Sequence, residues 1–228
     1  MRLASFHDAA DRLLSQWSAL SASGKLDPRV LSASVRDRLR PNMILTLTDT
    51  RPDDPLEFHC TFLHRYAIPS GILKVLGVGE LQRDQRFGEF RDQEYLHKSV
   101  IGHYRAVIEA QRPKVDRVST TMFGFRIFYD RVVLPHVNHG GRAEWCLALT
   151  ETRLVLPLPG RNPKLDTHDL RVLQLLHEGG SAKEIGESTG LSPRTVEHRI
   201  DRLKKKFEAR NIAHLVALSI TYACGGFE

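Results

Sequence analysis

The stretch that most constrains this 228-residue chain runs from Leu165 to Val216, where four short apolar-periodic segments each follow a helix start signal. Asp166 precedes Leu170, Val172, Leu173 and Leu176, whose spacing predicts one helical face, and Gly179-Gly180 ends it. Ser181 and Glu184 have the spacing of a capping box: the hydroxyl accepts from a free backbone N–H and the carboxylate reaches back. They predict a second short helix through Ile185 to Thr189, with Gly190 in the turn. Ser192 caps a third segment whose first helical position is Pro193, where no N–H is needed. Asn211 opens a fourth, carrying Leu215, Val216, Leu218 and Ile220.

The third segment gives the arrangement its chemistry. Val196, Ile200, Leu203 and Phe207 recur at helical spacing and must pack on the first two helices. Arg194, Glu197, His198, Asp201, Arg202 and Lys205 fall outside that stripe, and Lys204–Lys206 add charge near its end. Alone, this is an amphipathic helix with a solvated basic face. Behind two capped helices in this order it predicts a helix-turn-helix, whose partner is double-stranded DNA. Lysine and arginine attract phosphates, and residues near the helix N-terminus reach base edges.

Residues 165–220 resemble the LuxR-type (GerE-like) DNA-binding domain of bacterial transcription regulators. The likeness is carried by Leu165, Val172-Leu173, Gly179, Ser181, Lys183-Glu184-Ile185, Ser192, Thr195-Val196, Lys206 and Val216. It implies that the third helix reads DNA and that Lys183 and Thr195 approach phosphates. It further implies that positions 197, 198 and 201 read bases and that the fourth helix, through Leu215 and Leu218, pairs two copies. The chain departs from the family pattern at Asp166, His168-Asp169, Gly186, Thr189 and Arg199, where Thr, Arg-Glu, Ala, Leu and His are usual. Gly186 and Thr189 are expected to weaken the second helix. Glu197 and Asp201 place carboxylates on the reading face, which repel phosphates but accept from cytosine amino groups, so a C-containing half-site is expected.

The net charge of +6 is not concentrated in this region, because residues 161–228 carry 11 Lys+Arg against 9 Asp+Glu. The local cluster on the third helix is what matters. No apolar run is long enough to span a membrane, and the opening MRLASFHDAADRLL is broken by charges, so neither a membrane segment nor a signal peptide is expected. Cys60, Cys146 and Cys224 are odd in number and far apart, which points to a reducing cytosol and away from disulfides or structural zinc.

Pro157, Pro159, Gly160, Asn162 and Pro163 mark a stiff linker, which divides the chain into residues 1–155, a linker at 156–164 and residues 165–228. The first part reads as α+β. Residues 4–20 suit an amphipathic helix with Phe6, Leu13, Leu14 and Trp17 on its apolar side, and 26–39 a second short helix. Strands are expected at Met43–Thr48 and Glu57–Arg65, a helix at 93–111 ended by Pro113, then strands at 115–121, 123–134 and 143–154. The last two are joined by a turn at Val137–Gly141. This order resembles a PAS-like domain, most closely over GHYRAVIEAQRPKVDR and FYDRVVLPHVNHGGRAEWCLAL, with Trp17 also fitting. The resemblance implies a five-stranded antiparallel sheet with helices that senses a small molecule or cofactor, or dimerises. Residues 66–92 fit it poorly.

Several residues in this part have a plain reading beside a functional one. Phe123, Phe125 and Phe128 with Trp145, together with Phe62, line a ligand pocket or form ordinary core. Cys60 in Glu57–Leu63 faintly resembles a flavin-reactive cysteine, but lacks the usual neighbours and reads as buried core. His136 and His139, three apart across a turn, read as exposed, and His97 and His103 match no haem motif. The sequence thus names no cofactor, metal or catalytic set, and an enzyme is not expected. It predicts a cytoplasmic, homodimeric DNA-binding regulator with a small-molecule or partner-controlled sensor, acting with RNA polymerase. An acyl-homoserine-lactone quorum sensor is the alternative.

Overall fold

The structure, a computed structural model, describes residues 3–69, 82–138, 141–160 and 163–224. They divide into two compact units, residues 1–123 with 127–155 and residues 124–126 with 156–228. Of the stretches discussed above, residues 70–81, His139 and Asn162 lie outside the described residues.

In the first unit, helix α1 (Phe6–Ala22) starts at a local signal. Ser5 Oγ accepts from the Asp8 N–H at 3.1 Å and Asp8 returns the bond to the Ser5 N–H at 3.1 Å. Asp27 and Pro28 open the short α2 (Pro28–Ala33) in the same way. Strands β1 (Met43–Asp49) and β2 (His59–His64) follow, then the two-residue β3 (Gln85–Arg86). The expected helix at 93–111 is α3 (Gln93–Leu96) continued through a π-helical turn at His97–Ile101 into α4 (Gly102–Ala110). Strands β4 (Lys114–Met122), β5 (Phe125–Pro135) and β6 (Trp145–Pro157) complete the sheet. Phe123 and Gly124, both at positive φ (51° and 78°), form the two-residue turn between β4 and β5.

The sheet has the order β3-β2-β1-β6-β5-β4, with β1 antiparallel to both β2 and β6. The α+β, PAS-like architecture expected from the sequence is the one observed, with six strands where five were implied; the two-residue β3 lies in the part of the sequence that fitted poorly. Alternation along the strands sends side chains to two separate cores. On one face, Leu147 and Leu149 of β6 join Met43, Leu45, Val132 and Leu134 beneath α1 and α2. On the other, Cys146 and Ala148 join Phe58, Cys60 and Val133 beneath Leu96, Ile101, Tyr104, Val107 and Ile108 of the α3–α4 segment. Trp17, on α1, is tied down by its indole N–H, which donates to Pro135 O at 2.7 Å.

The second unit has the four expected helices: α5 (Thr167–His177), α6 (Ala182–Thr189), α7 (Pro193–Phe207) and α8 (Ile212–Cys224). Each cap read from the sequence is formed. Asp166 accepts from Asp169 N–H at 2.7 Å, Ser181 from Glu184 N–H at 3.3 Å, Ser192 from Thr195 N–H at 3.2 Å and Asn211 from His214 N–H at 2.8 Å. Val172, Leu173, Ile185, Val196, Ile200, Leu203, Phe207, Leu215 and Leu218 form its core. Two residues expected on inward faces are not buried: Leu170 is 53% exposed and Ile220 36%. Leu170 lies one position round from the Val172–Leu173 stripe that faces α7, so it turns to solvent.

Gly186 permits the turn that follows α6. A Cβ there would stand 2.6 Å from the Leu191 carbonyl oxygen, a backbone atom that cannot step aside. Thr189 also contributes locally, its hydroxyl donating to Ile185 O at 2.6 Å. Glycine to alanine inside a helix ordinarily stabilises by about 1 kcal/mol. Here Gly186→Ala reverses the sign and costs about 1–3 kcal/mol by overpacking. Urea unfolding monitored by helix content measures it, and a gain in stability contradicts the account.

Candidate DNA interface and ligand cavity

Helix α7 carries most of the residues expected to meet a groove. Its apolar stripe, Val196, Ile200, Leu203 and Phe207, is buried, which turns Arg194, Thr195, Glu197, His198, Asp201, Arg202 and Lys205 to solvent. Lys183 on α6 is exposed as well. All eight residues expected to contact DNA are therefore at the surface of this unit. They are not equally available. Asp201 is held by Lys204 at 2.8 Å, and that hydrogen bond and charge keep its carboxyl below the usual value.

The cations deeper on α7 converge on a carboxylate. Asp169, on the first turn of α5, is fully buried, and its oxygens accept from Lys206 Nζ at 2.6 Å and Arg199 at 3.0 Å, with Arg202 at 3.4 Å. Arg199 also reaches Asp166 at 3.3 Å, and Lys206 donates to Lys164 O at 2.7 Å. Two departures from the family pattern thus answer one another. The shorter Asp169 is met by the longer Arg199, and the pair fixes α7 against the start of α5. Burial would raise the Asp169 carboxyl, but the hydrogen bond from Lys206 and the Asp166 backbone N–H outweigh it and hold it below its usual value.

Leu215 and Leu218 occupy a different place from the one expected. They are 0% and 3% exposed in the core of the unit, where packing on α5 and α7 leaves them no face for a second copy. Among the described residues of α8, the large apolar side chains that are exposed are Ile212 and Ile220.

The PAS-like unit holds a cavity of about 190 Å³ on the α3–α4 side of the sheet. Its wall is mostly apolar and aromatic, including Phe62, Phe87, Phe90 and Ile127. Its polar groups include Tyr95, Tyr104, Tyr129 and Arg131. The Tyr95 and Tyr129 hydroxyls lie 3.3 Å apart, and Tyr104 shares a hydrogen bond with Thr48 at 3.1 Å. Burial raises the pKa of all three phenols, so each keeps its proton. Arg131 donates to Ser99 O in the π turn at 2.9 Å and to Asp116 at 3.3 Å, and its guanidinium carbon stands 5.7 Å from the Tyr129 ring centroid.

Of the five aromatic residues expected at a pocket, Phe62 lines the cavity and Phe123, Phe125, Phe128 and Trp145 do not. Phe128 alternates with Ile127 and Tyr129, which sends it to the opposite face. Trp145 belongs to the core beneath α1 and stacks on His136 at 5.5 Å. The sequence reading missed Tyr95, Tyr129 and Arg131. The signal was the i, i+2 spacing of Ile127, Tyr129 and Arg131, which places them on one face of β5. Cys60 is a buried wall residue whose thiol burial pushes up to about 11. His103 is buried on α4 beside Asp116, and burial with the nearby Arg131 charge pushes it down to about 4. Among the described residues, no group of three His, Cys, Asp or Glu side chains is placed to hold a metal ion, and no helix is long and apolar enough to cross a membrane.

Removing the Asp169 charge tests the clamp. Asp169→Asn leaves three cations facing a neutral amide and costs about 3–5 kcal/mol. Because the folded-state value of Asp169 lies below its unfolded one, its contribution is complete above the ordinary value of 3.8 and is lost as pH falls through the depressed one. Urea unfolding of both proteins from pH 7 to pH 3 measures this. The stability gap between them narrows toward the acid end, and a gap that stays constant contradicts the assignment.

Residues 165–219 match the family described as bacterial regulatory proteins, luxR family. No curated protein matches the chain. Several solved structures are similar over both units at low identity. A phage VqmA–DPO complex is 18% identical over 80% of this chain and 84% of that one, with a TM-score of 0.36. A Vibrio cholerae VqmA–ligand–DNA complex is 16% identical over 78% and 81%, with a TM-score of 0.27. A Rhodobacter sphaeroides LOV protein is 13% identical over 83% and 92%, with a TM-score of 0.33. The capped four-helix unit, the exposed polar face of its third helix and the family match agree: this chain carries a LuxR-type helix-turn-helix, DNA-binding domain behind a PAS-like domain.

Proposed function

We propose that this chain is a cytoplasmic, homodimeric transcription regulator whose PAS-like unit binds a small molecule and whose helix-turn-helix unit reads a two-fold operator. The observation that carries the reading is the presence, in one chain, of a mostly apolar cavity with a few polar groups and a helix with a fully exposed reading face. Two copies of α7 would read half-sites about one helical turn, ~34 Å, apart. The ligand acts by binding one arrangement of the dimer more tightly than another. RNA polymerase is the partner such a regulator addresses at a promoter.

Within the DNA face, Lys183, Arg194, Thr195 and Lys205 are assigned to phosphates, and Glu197, His198 and Asp201 to base edges. Arg202 divides its charge between Asp169, Asp166 and the groove. Glu197 is the stronger cytosine reader of the two carboxylates, because Asp201 is engaged by Lys204.

Selection of binding sites from random DNA, followed by titration at several salt concentrations, tests both halves of this assignment. Lys205→Ala weakens binding to every sequence alike and lowers the salt slope by about 1. Glu197→Gln costs about 1–3 kcal/mol on the preferred site and relaxes preference at one base pair. Uniformly tighter binding with unchanged preference removes Glu197 from base reading. Homoserine lactones leave the melting temperature unchanged, since a specific ligand would raise it.

A further inference from the structure

Two neighbouring rows of α7 have different surroundings. Arg194, His198, Asp201 and Lys205 recur at i, i+4, i+7 and i+11 and form one exposed row. Thr195, Arg199, Arg202 and Lys206 form the next, and its three cations all turn to the start of α5. Arg202 is tied to α5 by its contacts but borders the reading row by its position. It is half-exposed, follows Asp201 directly and lies one turn after His198.

Two carboxylates hold those three cations. The buried Asp169 accepts from Lys206 at 2.6 Å and Arg199 at 3.0 Å, and its bond from Arg202 is the longest of the three, at 3.4 Å. Asp166 is half-exposed. It caps α5 by accepting from the Asp169 N–H at 2.7 Å, and it faces Arg199 at 3.3 Å and Arg202 at 3.8 Å. The Asp169 N–H and Arg199 hold its carboxyl below the usual range, so it is charged at neutral pH. With Asp166 neutral, a single carboxylate would face three cations. Lys206 also donates to Lys164 O, and Arg199 is only 20% exposed, so the cation released is Arg202.

We propose that Asp166 is an internal competitor for DNA: its carboxylate keeps Arg202 on the α5 cluster and off the phosphate backbone. This rests on the reading of α7 as the helix that enters a groove. A carboxylate and a phosphate offer a guanidinium the same charge-assisted bond, so the one already in place withholds it from the other. Asp166 thereby sets the strength and salt dependence of binding to DNA of any sequence, and not the sequence preferred.

The unaltered full chain, Asp166→Asn, Arg202→Gln and the double variant are titrated with a duplex of unselected sequence and with the selected site, at several salt concentrations. Asparagine caps a helix as well as aspartate does, and Asp166→Ser, a second uncharged cap, stands in if the amide impairs folding. Asp166→Asn steepens the fall of log K with log salt by about 1, the mark of one further phosphate contact, and does so alike on both duplexes. Arg202→Gln alone leaves the slope unchanged, and in its presence Asp166→Asn no longer steepens it. An unchanged slope in the uncharged-cap variants overturns the proposal. Equal steepening with and without Arg202 also overturns it, because Asp166 is then only a nearby negative charge. A slope lowered by Arg202→Gln alone does the same, because Arg202 then already meets a phosphate. Each of these results leaves the DNA-binding reading in place, whereas an unaltered chain that binds neither duplex overturns that reading and this proposal with it.

Discussion

A single buried carboxylate organises the DNA-binding unit. Asp169 sits at the start of α5 with no solvent exposure, and three cations of α7 close on it. Taking a carboxylate out of water costs several kcal/mol, which is recovered only when its lone pairs are fully engaged. Arg199, Arg202, Lys206 and the Asp166 N–H supply that engagement. The apolar stripe of α7 decides which side of the helix faces inward. The charge cluster adds direction along the axis, because salt-bridge geometry tolerates less sliding than packed leucine and isoleucine. The orientation of the reading face follows from both.

The PAS-like unit solves a different problem with one sheet. Its central strands must satisfy two cores, so a residue and its neighbour have different environments. Leu147 packs beneath α1, while Cys146 and Ala148 on either side of it pack beneath α4. On β5 the same parity puts Val132 and Leu134 in one core and Ile127, Tyr129 and Arg131 at the cavity. A cavity persists there because the wall is built of rigid rings and tyrosines whose hydroxyls need partners, which cannot collapse as aliphatic side chains do.

What the sequence made legible was what is decided within a few residues. The caps at Asp166, Ser181, Ser192 and Asn211 are local hydrogen bonds, and each could be read from spacing alone. The strands, helix order and α7 stripe follow from periodicity. The rest depended on what each residue meets once the chain has folded back on itself. Gly186 looked like a weak helix former until the Leu191 carbonyl stood where its Cβ would be. Leu215 and Leu218 looked like a pairing face because the burial of α8 on α5 and α7 is invisible in α8 itself. Phe125 and Phe128 were grouped by residue type, although their odd spacing puts them on opposite faces of a strand.

The same clamp that positions α7 also reduces its attraction for DNA. Of the cations on that helix, Arg199, Arg202 and Lys206 are bound to Asp169 and Lys204 to Asp201, which leaves Arg194 and Lys205 outside the internal network. Glu197 adds a negative charge to the exposed side. A face of that composition gains little from phosphate neutralisation alone, since non-specific binding scales with the number of phosphates met by free cations. On a face of that composition, hydrogen bonds to base edges, which add affinity only on the correct sequence, carry more weight than contacts to phosphates.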